Sequence, residues 1–186
     1  MMWAISNRAD PCAVAIADRH YNRQKHGTPQ FMPPGSCVVF NTLDGRAVWG
    51  TSWPKAEYVK HAWAGAWVNS IFRNEGAALS SRLIREAVAA TRAFYGPPPP
   101  LGMVTFIDTE KTAPKEVPGW CYRRAGFKRA RCPAHAAAPN ADCASCAGRT
   151  KGGLVALQLL PARMPAADWP LGITLGLFGR SSGGDA

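Results

Sequence analysis

Val68-Asn69-Ser70-Ile71-Phe72-Arg73-Asn74-Glu75-Gly76-Ala77-Ala78-Leu79-Ser80-Ser81 leads from a segment rich in β-branched and aromatic residues, through a turn with one glycine, into helical spacing. The pattern predicts a central strand over 63–72. It also predicts a helix on which Leu79, Leu83, Ile84, Ala87, Val88 and Phe94 share a face, closed by Gly96. A glycine at such a turn lets the backbone approach a ligand closely, and the free amides and dipole of the following helix point at it. A diphosphate fits there, although an ordinary strand-to-helix turn has the same outline.

Upstream, Asp10-Pro11 is a helix start, an N-cap followed by proline, and the helix it opens is expected to end near Tyr21. A polar, basic loop over 22–36 leads to a strand at 37–41. The Asp44-Gly45 turn then joins that strand to a partner over 47–53. Downstream, four prolines at 97–100 precede an apolar strand at 101–107. Asp108 stands at that strand's carboxyl end, the edge where open α/β sheets bind ligands. A short helix over 120–125 closes at Gly126, a strand is expected within 127–131, and another over 154–160. The segment 132–149 lacks apolar periodicity and reads as an insertion.

The whole chain has 186 residues, of which 47% are hydrophobic and 18% charged, enough apolar surface for one compact core and too few residues for two full domains. No apolar stretch approaches the roughly 20 residues of a membrane span, and residues 1–10 hold no signal-peptide core. A soluble cytoplasmic protein with no membrane partner is therefore expected. A net charge of +10 favours an anionic partner, either nucleic acid or a phosphorylated cofactor. Arg19, Arg23 and Lys25 on one side, with Arg123, Arg124, Lys128, Arg129 and Arg131 on the other, are the candidates for gripping DNA phosphates.

The pattern Val68-x4-Arg73-x2-Gly76-x-Ala78 resembles the acyl-CoA-binding motif of the GNAT acyltransferases, and Tyr122-Arg123-Arg124-Ala125-Gly126-Phe127 resembles the tyrosine and glycine-phenylalanine segment after their fifth strand. The resemblance implies an α/β fold with a mixed, mostly antiparallel GNAT-like sheet flanked by helices. It makes 1–160 one domain; composition makes 161–186 an extension whose Gly/Ser tail is expected to be disordered. It implies acetyl-CoA as cofactor, with Val68, Arg73, Asn74, Glu75, Gly76, Ala77 and Ala78 around its pyrophosphate. Tyr122 takes the role of acid for the departing thiolate.

His20-Tyr21-Asn22, the basic loop, Arg73-Asn74-Glu75 and the acidic Asp108 together are similar to the Mom family, phage DNA-modification proteins on a GNAT fold that form N6-carbamoylmethyladenine. That family often has His-Tyr-Ser and an Arg-Asn-Ser-Glu-like segment at these places. The likeness implies DNA as partner and phage origin. It assigns Asp108 as the base for the adenine amine, Tyr21 and Ser81 as further catalytic residues, and Tyr21, Phe31 and Trp53 as surfaces for a flipped base. A plain N-acetyltransferase of a small or protein amine, or a DNA-binding module without chemistry, shares most of these features.

Cys132-x2-His135 and Cys143-x2-Cys146 form two chelating pairs within the 131–150 insertion. Three thiolates and an imidazole suit a closed, structural zinc site. A metal would supply the order that Ala, Pro and Asn cannot build.

Overall fold

A computed structural model describes residues 1–33, 35–59, 61–112, 117–132 and 154–171. The elements run β1 (Trp3–Ser6), α1 (Pro11–Asp18), β2 (Cys37–Thr42), β3 (Ala47–Ser52), β4 (Trp67–Asn74), α2 (Ser80–Tyr95), β5 (Met103–Ile107), α3 (Trp120–Arg124), β6 (Lys128–Arg129) and β7 (Val155–Leu159). All seven strands join one sheet in the order β1-β2-β3-β4-β5-β7-β6. Among the described strands only the β4–β5 pair is parallel. The fold is a mixed α/β structure with a mostly antiparallel sheet, as expected.

Local chemistry accounts for the element ends. The Asp10 carboxylate accepts the Cys12 amide at 2.8 Å with Pro11 at the first helical position, which starts α1. The helix stops at Asp18 rather than near Tyr21, because the amides of Arg19 and His20 turn back three residues to the carbonyls of Ile16 and Ala17. At the β2–β3 turn, Gly45 takes φ +66° and its amide donates to the Thr42 carbonyl at 2.8 Å. The strand expected over 63–72 starts at Trp67 and runs on to Asn74, since residues 62–65 form a turn over which Trp63 is fully buried. The strand expected from 101 begins at Met103, after Gly102 closes a turn with its amide on the Pro99 carbonyl.

The sheet separates two apolar layers. Trp3, Phe40, Trp49, Trp67, Tyr122 and Phe127 pack with Leu83, Ile84 and Val88 of α2, whereas Val39, Val48 and Ile71 pack with Ile16 and Ala17 of α1. Strand alternation would put Trp67 and Ile71 on the same face. They lie in opposite layers because β4 carries one extra residue. Gly50 pairs with Ile71 and the next residue, Thr51, with Asn69, so Ser70 is bulged and everything after it changes sides.

The same bulge parts two strands. β4 and β5 pair only over Trp67↔Met103, Val68↔Val104 and Asn69↔Thr105. Beyond that, β4 follows β3 as far as Asn74, and β5 follows β7 through Phe106 and Ile107. A wedge opens between them.

Several expectations fall at the limits of the described chain. His135, Cys143 and Cys146 lie outside the described residues, as does 172–186; Cys132 is described and is buried, 4% exposed. Among the described residues no three His, Cys, Asp or Glu side chains gather as a metal site. Residues 161–171 pack back on the domain. Met164 is buried, the Pro165 carbonyl accepts Arg92 Nη1 at 2.6 Å, and Leu171 bridges to Ala4.

Candidate functional site

A cavity of about 350 Å³ occupies the wedge. Asn69 to Asn74 of β4, Thr105 to Ile107 of β5, Trp120 to Tyr122 of α3, His20 to Asn22 after α1, and Ser80 line it. Its deep end is held by Asn69, 3% exposed. Asn69 Nδ2 donates to the carbonyls of Gly50 (3.0 Å) and Ile71 (2.9 Å), two acceptors at the bulge. Asn69 Oδ1 accepts the Tyr122 hydroxyl at 2.5 Å and Thr105 Oγ1 at 3.3 Å. One carboxamide thus ties β3, β4, β5 and α3 together where the sheet parts. Burial pushes the Tyr122 phenol well above its ordinary range, so it keeps its proton.

At the open end stands the turn between β4 and α2. Gly76 takes φ +87°, a conformation that a side chain strains. The amides of this turn are already engaged. That of Glu75 donates to the Arg46 carbonyl, and those of Gly76 and Ala77 donate to Asn74 Oδ1 at 3.2 and 3.0 Å. Asn74 Nδ2 reaches the Ala78 carbonyl and Ser80 Oγ, both at 2.8 Å. The expectation that the amides of this turn stand open is corrected for residues 75–77, taken by the Arg46 carbonyl and by an asparagine side chain that bridges the turn from within. The amides of Ser80 and Ser81, the first two of α2, donate to no group among the described residues. Of the expected pyrophosphate set, Arg73 and Asn74 line the cavity; Val68 and residues 75–78 do not.

Glu75 lies between two guanidiniums. Arg19 donates to it from Nε at 2.8 Å and from Nη2 at 2.6 Å, and Arg73 from Nε at 2.7 Å. Hydrogen bonds from Arg19 first, then Arg73, hold the carboxyl down at about 2.

The expected catalytic residues do not all face the cavity. Tyr21 lines the cavity and stacks on His20 with ring centroids 4.3 Å apart. Desolvation raises its phenol, partly offset by the Asp108 backbone amide. Asp108 itself is turned away: Oδ1 accepts the amides of Glu110 (3.1 Å) and Lys111 (3.0 Å), Oδ2 lies 3.9 Å from Lys111 Nζ, and the residue does not line the cavity. A carboxylate at the start of a turn satisfies the turn's own amides first. Ser80, not Ser81, faces the cavity, one residue earlier in helical phase.

The sequence pattern gives no role to Asn69 or Thr105, and His20 enters it only through the His20-Tyr21-Asn22 motif. The one signal for Asn69 was a carboxamide inside an apolar strand. His20 is held at about 4, below its ordinary 6.5, by desolvation, then by Arg73 and Lys111. Its imidazole is therefore neutral at physiological pH. Because the folded value is the lower one, the unfolded chain binds the extra proton; this group's contribution to stability falls as pH drops from about 6.5 to about 4 and is level below. In a proton NMR titration, the His20 C2–H signal should stay flat from pH 5.5 to 8 and move with a midpoint near 4.

The basic residues also divide. Arg23 is corrected as a phosphate contact: its side chain is 3% exposed, with Nε 2.5 Å from Asp18 and a further bond to the Thr28 carbonyl. Arg19 is tied to Glu75 at the cavity mouth. Lys25, Arg123, Arg124, Lys128, Arg129 and Arg131 are exposed, and Arg124 lies 5.7 Å over the Trp120 ring. Of the aromatic surfaces, Trp53 packs edge-on against Trp67 and Tyr95 and does not line the cavity.

No helix among the described residues is long and apolar enough to cross a membrane. Comparison with family models, curated proteins and solved structures gives no match to this chain.

Proposed function

We propose that the chain is a GNAT-type transferase that uses acetyl-CoA or a related acyl-CoA to modify a DNA base, adenine at N6 being the preferred acceptor. The observation that carries this reading is the wedge: two parallel strands part at a bulge, and the cavity between them runs from a buried carboxamide to the start of α2. Along it, β4 turns one unpaired backbone edge to the cavity, suited to the amides of an extended pantetheine arm. The start of α2, where Ser80 and Arg73 both line the cavity, suits a diphosphate. The thioester then lies near Ser70 and Ile71.

In this reading the acceptor nitrogen attacks the thioester carbonyl, a nitrogen–carbon bond forms, and the carbon–sulfur bond breaks. His20, neutral and facing the cavity, takes the acceptor's proton. An exocyclic amine becomes strongly acidic once it has attacked, so a base held at about 4 suffices. The departing thiolate takes the Tyr122 proton when that hydroxyl turns from Asn69, whose Oδ1 keeps Thr105 as donor. Asp108 supports the site by shaping the 108–112 turn beside Tyr21. The exposed arginines and lysines of α3 and β6 contact DNA phosphates.

The test is incubation with acetyl-CoA and duplex DNA, digestion to nucleosides and mass spectrometry. A cofactor-dependent mass increase on deoxyadenosine is expected, and its size gives the chemical form. Label passing only to a polyamine or a lysine peptide would replace the base with a plain amine acceptor. Steeply salt-dependent DNA binding with no affinity for CoA would leave a binding module and no transferase.

A further inference from the structure

A second cavity, of about 250 Å³, opens from the bulge on the α1 side of the sheet. It shares His20, Asn22, Ser70 and Ile71 with the wedge, so the two spaces meet at the neutral imidazole. We infer that this second cavity receives the acceptor, and that its lining selects a single neutral heteroaromatic ring with an exocyclic amine over an aliphatic ammonium. The inference rests on the proposal that acyl-CoA fills the wedge, and adds what the other side accepts.

The lining carries the argument. Asn22, Gln24 and Gln30 contribute three primary carboxamides, each with a donor and an acceptor side by side, which is the pattern that pairs with a base edge. Phe31 contributes an aromatic face, with Arg23 5.8 Å from its centroid on the other. Among the described residues no carboxylate lines the cavity. Arg23, its one permanent charge, is already neutralised by Asp18. An ammonium entering here would lose water and gain no counter-charge, and a phosphate would compete with Asp18 for its only cation. A neutral ring loses little on entry and finds donors and acceptors in plane. The volume lies just below the ~300–1,000 Å³ of ordinary ligand clefts, which suits one ring system with its sugar left outside.

The probes are deoxyadenosine and, separately, N-acetyl-lysine methylamide, each titrated into the protein while the side-chain amide signals of Gln24 and Gln30 are followed by NMR. Deoxyadenosine should shift both. The double variant Gln24→Leu/Gln30→Leu, at two exposed positions, should weaken it about tenfold, the loss of one good bidentate pair. Acetyl-CoA affinity should stay within about twofold, because neither glutamine lines the wedge. The inference is overturned if millimolar deoxyadenosine leaves both signals in place, or if the lysine amide moves them instead. Failure of acetyl-CoA to bind the unaltered protein would sink the proposed transferase, and the deoxyadenosine titration would still read the second cavity on its own.

Discussion

Asn69→Leu is expected to destabilise the folded chain by about 4 kcal/mol, read as a lower midpoint in urea unfolding followed by tryptophan fluorescence. Leucine keeps the branching of asparagine but is bulkier, so some overpacking adds to a loss that is chiefly one of hydrogen bonding. Three buried groups lose their partner at once: the carbonyls of Gly50 and Ile71 and the hydroxyl of Tyr122. Each unsatisfied buried group costs roughly 1–3 kcal/mol. Tyr122→Phe is the control. It removes one donor while Thr105 still serves Asn69 Oδ1, so about 1 kcal/mol is expected. The double variant should cost less than the sum, because the orphaned tyrosine hydroxyl is gone. A cost below about 1 kcal/mol for Asn69→Leu would mean that the carboxamide does not hold the parting of β4 from β5.

Features that depend on a few adjacent residues were legible in the sequence. The Asp10-Pro11 cap, the Asp44-Gly45 turn and the apolar face of α2 all appear close to where local chemistry puts them. Features set by a partner were not. β1 is four residues long, and Trp3 is buried while Ile5 is exposed, so it carries neither strand alternation nor a run. The bulge is a property of register. Ser70 looks like any strand residue until Gly50 and Thr51 are set opposite its neighbours.

The site follows the same rule. Of the residues the sequence pattern singles out, Tyr21, Arg73, Asn74 and Tyr122 line the wedge. Which atoms face the ligand was decided by competition with nearby groups. Asn74 takes the turn amides, and Asp108 takes those of its own loop. Asp18, five residues before Arg23, takes its charge. Arg19 meets Glu75 across 56 residues of sequence, a pairing that no spacing announces.

That last pairing gives the second large effect, with opposite signs for neighbouring residues. Glu75 places a carboxylate against both arginines at the cavity mouth, where the proposed reading puts a diphosphate. The arginines are pre-positioned by an anion of the chain's own, and an incoming anion meets its repulsion. Glu75→Gln removes that charge and leaves a side chain of the same shape. Acetyl-CoA is expected to bind about tenfold more tightly at low ionic strength, with the gain shrinking as salt screens it. Arg73→Ala removes a cation and its charge-assisted bonds, and binding should weaken by about thirtyfold or more. Isothermal titration of acetyl-CoA reads both.

Protonation does not blur the comparison between pH 6 and 8. Glu75 is ionised there, since its carboxyl is held at about 2, and His20 is neutral, held at about 4. The depressed Glu75 value also fixes a sign: the stability it contributes is present above the ordinary carboxyl range and lost as pH falls through about 2. Weaker binding in Glu75→Gln would make this carboxylate the organiser of a productive arginine pair rather than its competitor. Unchanged binding in both variants would move the diphosphate away from the start of α2, and with it the proposed line of the cofactor through the wedge.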